Sequence, residues 1–198
     1  MRIIITFLAL FFFVSLNAQH IDNTSAIVKS IDETPIYIYS KPVQNHEVVG
    51  NATSFSDAIK ILANEKMTFD EKIAAVIKAS IKRKEKGKLG DYNAIVFDSE
   101  KEKVLAINFS EKVSVRAHAE LIDSTIVFFY SQPEQDYEAV DTLVADYSLY
   151  AKRNGVFAKI ESMVHKTEKK AANGEIEDFD AVIINSNDLS DILIKFKK

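Results

Sequence analysis

The polar residues that recur at fixed spacing are the first candidates for chemistry. Tyr39-Ser40-x-Pro42-x-Gln44-x-x-Glu47 comes back as Tyr130-Ser131-x-Pro133-x-Gln135-x-x-Glu138. Hydroxyls, an amide and a carboxylate at one strand end could hold a ligand or a partner, once in each copy. The same residue types also build turns: Ser closes a strand, Pro fixes the bend, and Gln and Glu satisfy backbone donors. Turn chemistry is the stronger reading, because a turn needs the set in both copies whereas an active site needs each group once. Phe55, Tyr147 and Tyr150 are further binding candidates. They fall in segments 51–69 and 142–156, which diverge between the copies, and divergent segments on a shared scaffold are where specificity tends to sit. Extra strand and loop packing is the competing reading of those segments.

Catalytic and metal-binding groups are sparse. The four histidines, His20, His46, His118 and His165, are never closer than twenty-six positions, and none sits in a ligand motif. There is no cysteine, no G-x-S-x-G elbow, and only five glycines, too few for a phosphate-cradling loop. Carboxylates cluster in "EIEDFD" at 175–180 and "NSNDLSD" at 185–191. The second stretch has the oxygen donors of a loose calcium loop in Asn185, Asn187, Asp188 and Asp191. It lacks the glycine and the terminal glutamate of an EF-hand, so a solvated turn is the stronger reading. A hydrolase built here would need Asp178, Asp180 and Asp188 to converge in a cleft with one raised pKa. The expectation is therefore no catalytic residue, no metal and no cofactor.

These groups must be positioned by two copies of one unit. Residues 31–50 match 122–141 at nine of twenty positions, and beyond them the offset falls from 91 to 87. "DYNAIVF" at 91–97 then faces "DFDAVII" at 178–184, and Lys72, Ile73, Lys82 and Gly87 face Lys159, Ile160, Lys169 and Gly174. The change of offset places four extra residues within 51–69. "PIYIYS" and "IVFFYS" are apolar on both faces and predict central strands. "HEVVGNATS" and "YEAVDTLVA" predict a second strand, joined to the first by a hairpin or bulged turn. Thr68 and Glu71 have capping-box spacing before the apolar positions Ile73, Val76, Ile77 and Ile81. Lysines and Gly87 close that helix. Ile160, Met163 and Val164 predict its counterpart, stopped by "NG" at 173–174. Two strands follow each helix, at 91–97 and 103–109, then at 178–185 and 190–196. A further strand precedes each unit, at 25–31 and 113–121. The fold class is α+β: a tandem duplication of a β(β)βαββ unit, antiparallel-rich, each sheet with one main helix. One helix cannot cover both faces of a sheet, so the two copies must complete one another's core.

"LGDYNAIVFD" and "IEDFDAVIIN", each following a helix and leading into a hairpin, resemble the "GADAVV"-type strand of small YbjQ-like domains of the heavy-metal-binding type. That resemblance spans about thirty residues per copy and implies compact α+β units that oligomerise. The family's glycine is displaced here, and without cysteine or a histidine cluster its metal label does not carry over. The "YSKP…YE" opening and closing "IKF" also resemble uncharacterised exported repeat proteins.

The chain opens "MRIIITFLALFFFVSLNAQ". Arg2, an apolar run over 3–14 broken only by Thr6, and Ala18 before the cut predict a signal peptide over 1–18. Units one and two then span 19–111 and 112–198. Loss of Arg2 takes the net charge from −4 to −5. A mildly acidic chain with no basic block is a poor nucleic-acid binder, and no other apolar run is long enough to span a membrane. The expected role is a non-enzymatic binding or interaction protein in the periplasm or outside the cell, with a protein partner or an envelope component. The alternatives are an inhibitor or immunity-type protein against one toxin or enzyme, and the carboxylate hydrolase.

Overall fold

Strand β3 (Thr34–Ile38) carries apolar side chains on both faces and lies inside a sheet, between β2 (Ser30–Ile31) and β6 (Ala94–Asp98). The computed structural model describes residues 23–98, 103–146 and 155–198. Ile36 and Ile38 face one apolar cluster and Tyr37 the other, as a period of two requires. The sheet continues through β7 (Lys103–Phe109) to an edge at β5 (His46–Asn51). Helices α1 (Phe55–Leu62) and α2 (Phe69–Glu85) connect β5 to β6.

The second half runs β8 (Arg116–Ile122), β9 (Thr125–Phe129), β10 (Ser131–Pro133), β11 (Tyr137–Leu143), α3 (Gly155–Ala172), β12 (Ala181–Ile184) and β13 (Asp191–Phe196). Its pairings use the corresponding residues. β3 and β6 are parallel with Ile36 opposite Ile95, and β9 and β12 are parallel with Val127 opposite Val182. His46 faces Phe109 as Tyr137 faces Phe196, and both ladders are bulged two residues later. Asn93 Oδ1 accepts the Phe109 N–H at 3.0 Å, and Asp180 Oδ2 accepts the Phe196 N–H at 2.9 Å.

The halves exchange strands. β1 (Ser25–Val28) pairs with β10 and β8, while β4 (Ser40–Pro42) pairs with β8. Val28 faces Ser131 as Ala119 faces Ser40. Ala26 faces Ala117, residues 91 apart, so the β1–β8 ladder maps onto itself when the halves are interchanged. Both alanines are fully buried, and a larger side chain there would have to displace close-packed neighbours.

This corrects the expected hairpin between the first two strands of each unit. β3 does not pair with β5, because Tyr39 takes φ +48° and turns the chain so that β4 joins the other half. Tyr130, at φ +61°, does the same for β10. Left-handed backbone at a tyrosine carries a cost of about 1–2 kcal/mol, offset here by burial of the ring. A second correction concerns 51–69: its first part is helix α1 rather than strand and loop. Ser54 starts it by accepting the Asp57 N–H at 3.2 Å.

The main core lies between the helices and one face of both sheets. Ile73, Val76, Ile160 and Val164 have no exposed surface, and burying each such side chain contributes about 1.5–3 kcal/mol. Phe69 of α2 stacks edge-on against Phe129 and Tyr130 of the other half, and Phe157 of α3 against Tyr39. The second core contains Tyr37, Phe128, Phe109 and Phe196 together with the alanines of β1 and β8. The capping box is formed: Glu71 N–H donates to Thr68 Oγ1 and Thr68 N–H to Glu71 Oε2. Gly87 and Gly174 take φ +64° and +71° beyond the helix ends, where a left-handed residue closes the last turn. Among the described residues no helix is long and apolar enough to cross a membrane.

Candidate functional site

Among the described residues, a half-open concavity with converging charge sits at the junction of the halves. Its cavity volume is about 490 Å³. One wall is the end of α1, the 63–67 link and the first turns of α2; the other is the start of α3 and the 186–189 turn. Each wall is held by local chemistry. Asn64 Oδ1 accepts the Lys66 N–H at 3.0 Å and Met67 N–H returns to the Asn64 carbonyl, which folds the link. Asn185 Oδ1 accepts the Asn187 N–H, Asp188 Oδ1 accepts both Ser190 donors, and Leu189 takes φ +56° to close the opposite turn.

Lys72 and Lys159 are the residues that reach the cavity from equivalent positions on α2 and α3. Both are half-buried. Lys72 Nζ donates to the Leu62 carbonyl at 2.9 Å and so caps α1. Burial, and secondly the charge of Lys159, hold its pKa below the ordinary lysine value, while Glu65 opposes them. Ser186, 8% exposed, lines the same space. The carboxylates of the lining, Glu65 and Asp188, are exposed. Hydrogen bonds from Ser190 hold the Asp188 carboxyl below its usual range. The first turn of α3, which adjoins the cavity, carries no acidic side chain.

The recurring polar set lies elsewhere. Tyr39, Ser40, Tyr130 and Ser131 are at most 5% exposed. Tyr39 Oη donates to Glu161 of α3 at 3.3 Å, and Tyr130 bonds Asp70 of α2, so each tyrosine ties its strand to the other half's helix. The Ser40 and Ser131 hydroxyls are buried with no hydrogen-bond partner. Gln44 Nε2 donates to Glu111 at 3.5 Å and Gln135 Nε2 to the Lys197 carbonyl at 3.0 Å. Glu47 and Glu138 are exposed on the edge strands β5 and β11. The set is thus dispersed between core, turn and edge, and the tyrosines and serines, expected as surface contacts in the binding reading, are packed instead. Phe55 opens α1, with its side chain outside the described set, and Tyr147 and Tyr150 lie outside the described residues.

The carboxylate stretches are turns and anchors. Asp178, Asp180 and Asp188 are exposed, and Asp180 is spent on the Phe196 N–H. Asp191 does not join Asn185 and Asp188 as a ligand; it is 3% exposed, with Oδ2 accepting from Thr167 at 3.0 Å. Burial pushes its carboxyl up to about 6, against smaller lowering by Thr167 and Lys170.

One grouping had no sequence signal beyond an H-x-x-E spacing on α3. Asp123, His165 and Glu168 bring their ligand atoms within 4.8 Å of one another. Glu168 Oε1 already accepts from Ser124 N–H, Ser124 Oγ and Thr125 Oγ1, at 3.2, 3.0 and 2.7 Å. Burial raises its pKa, and these bonds together outweigh that and hold it low. The group clamps the β8–β9 turn onto α3. No family model, curated protein or solved structure matches the chain.

Proposed function

We propose that the chain is an exported, non-enzymatic binding protein, made by tandem duplication of one α+β unit, that takes a small molecule in the cavity between its halves. The observation that carries this reading is the cavity itself, of about 490 Å³ and walled by both halves next to the segments that differ most between them. Ligand sites are concave, with an apolar lining and a few placed polar groups, and they favour junctions between units. The lining contains neither histidine nor cysteine, and Thr68 Oγ1 is engaged in its capping box. Duplication is supported by the matching registers and by the 91- and 87-residue offsets. Export is supported by the charged, apolar and small-residue succession of the first eighteen residues.

The test is native mass spectrometry of the protein recovered from the exported fraction of its host. A retained small-molecule mass is expected, together with an N-terminus at Gln19. Ala63→Trp, at an exposed position of the cavity wall, should lose that mass while keeping the circular dichroism spectrum. Recovery of the native protein without bound mass, and unchanged by Ala63→Trp, would overturn the reading.

A further inference from the structure

The groups that line the cavity narrow the class of ligand, provided that the cavity is a binding site as proposed. Lys72 and Lys159 project into one space from equivalent turns of two helices. Two like charges held half-buried and near one another disfavour each other. An anion between them would reverse that, because each ammonium would then gain an opposite charge at short range. Each ammonium has three donors, and the bond from Lys72 to the Leu62 carbonyl uses one of them.

The remaining lining restricts the ligand. Leu62, Met67, Val156 and Leu189 supply apolar surface from both walls. The acidic groups, Glu65 and Asp188, are exposed whereas both lysines are half-buried. The lysines are thus the more covered and the carboxylates the more exposed of the charged residues of the lining. A cation seated between the lysines would be repelled by both, and a small inorganic anion would leave the apolar wall in contact with water.

We infer that the cavity binds an amphipathic organic anion, a carboxylate or phosphate monoester whose head sits between Lys72 and Lys159 and whose apolar body lies along Leu62, Met67, Val156 and Leu189. The relation between the two lysines places the head on the junction of the halves, and the unequal walls give the body one direction.

The experiment is isothermal titration of the full chain with octanoate, octyl phosphate and octanol, which share an apolar body and differ in the head. At least one of the two anions should bind at least tenfold more tightly than octanol, and the stronger of the two identifies the head group. Lys72→Met/Lys159→Met should abolish that preference and leave octanol binding unchanged. Because Lys72 also caps α1, Lys159→Met alone serves as the second variant. It should cut anion affinity at least fivefold at a temperature where circular dichroism shows the variant folded, with octanol binding kept. Equal binding of octanol and both anions, insensitive to the lysine variants, would overturn the inference while leaving a cavity-binding function in place. Binding of none of the three would also overturn it, and the retained-mass measurement would then decide separately whether the cavity binds anything.

Discussion

Asp191→Asn should stabilise the protein, and only above a definite pH. Asp191 is 3% exposed on β13, with Oδ2 held by Thr167 and Oδ1 buried without a partner. Burial moves its carboxyl from 3.8 in the unfolded chain to about 6 in the fold, with Thr167 and Lys170 pulling weakly the other way. Between those values the folded state binds more protons than the unfolded state, so stability falls as pH rises through the window. Below about pH 4 the group is neutral in both states and costs nothing; above about pH 6 the full penalty is present, about 3 kcal/mol from the size of the shift. Asparagine keeps an acceptor for Thr167 and never ionises. Urea unfolding at pH 4 and pH 7.5 should therefore give near-equal stabilities for the two proteins at pH 4. At pH 7.5 the variant should gain about 2–3 kcal/mol. Glu168 and Asp188, held low in the fold, act with the opposite sign, but they are common to both proteins and cancel in the difference. A variant that is equally stable to wild type at pH 7.5, or whose advantage is the same at both pH values, would refute the reasoning. The equivalent position in the first half is Val104, also buried, which shows that the site tolerates a side chain with no charge.

Ser40→Ala and Ser131→Ala each remove a buried hydroxyl without a partner and should leave stability unchanged or raise it by up to about 1 kcal/mol in chemical unfolding; a loss above that size would reveal a bond. Thr68→Ala removes the side-chain half of the capping box and should cost about 1 kcal/mol, seen as a fall of about 2–4 °C in Tm. Ala117→Leu forces bulk between β1 and β8 where Ala26 faces it and should destabilise by about 1–3 kcal/mol. Residues 19–111 alone should show no folded monomer by sedimentation and NMR, because β1 and β4 find their partners in the second half; a well-dispersed monomeric spectrum would contradict the strand exchange.

What the sequence made legible was local. The doubly apolar runs at 35–40 and 126–131, the Thr68–Glu71 box and the stops at Gly87 and Gly174 each act within a few residues of themselves, and each element lies where its signal stands. The strand partners were not legible. Nothing near Tyr39 says that its backbone turns left-handed and sends Ser40–Pro42 to Ala117–Ala119, because the advantage of that turn is collected on the other half. Helix α1 escaped for a different reason: with eight residues it has no counterpart among the described residues of the second half, and the comparison of copies that exposed the other elements is silent there. Lys72 and Lys159 were visible as an aligned pair but carried no meaning until the helices brought them to one cavity.

The corresponding pairings of the two halves do not make the cavity symmetric, and the departure arises where the sequences part. Lys72 and Lys159, with the helix turns that bear them, come from positions the halves share. The walls do not. Leu62, Glu65 and Met67 belong to the stretch that is four residues longer in the first half, whereas Ser186 to Leu189 form a turn whose sequence counterpart, 99–102, reads Ser-Glu-Lys-Glu. A pair of equal charges is thus flanked by Leu62, Glu65 and Met67 on one side and by Ser186, Asn187, Asp188 and Leu189 on the other. Any ligand large enough to touch both walls meets a different surface in each orientation and prefers one. The pairings that the two halves have in common therefore stop short of this cavity, whose unlike walls give it a direction.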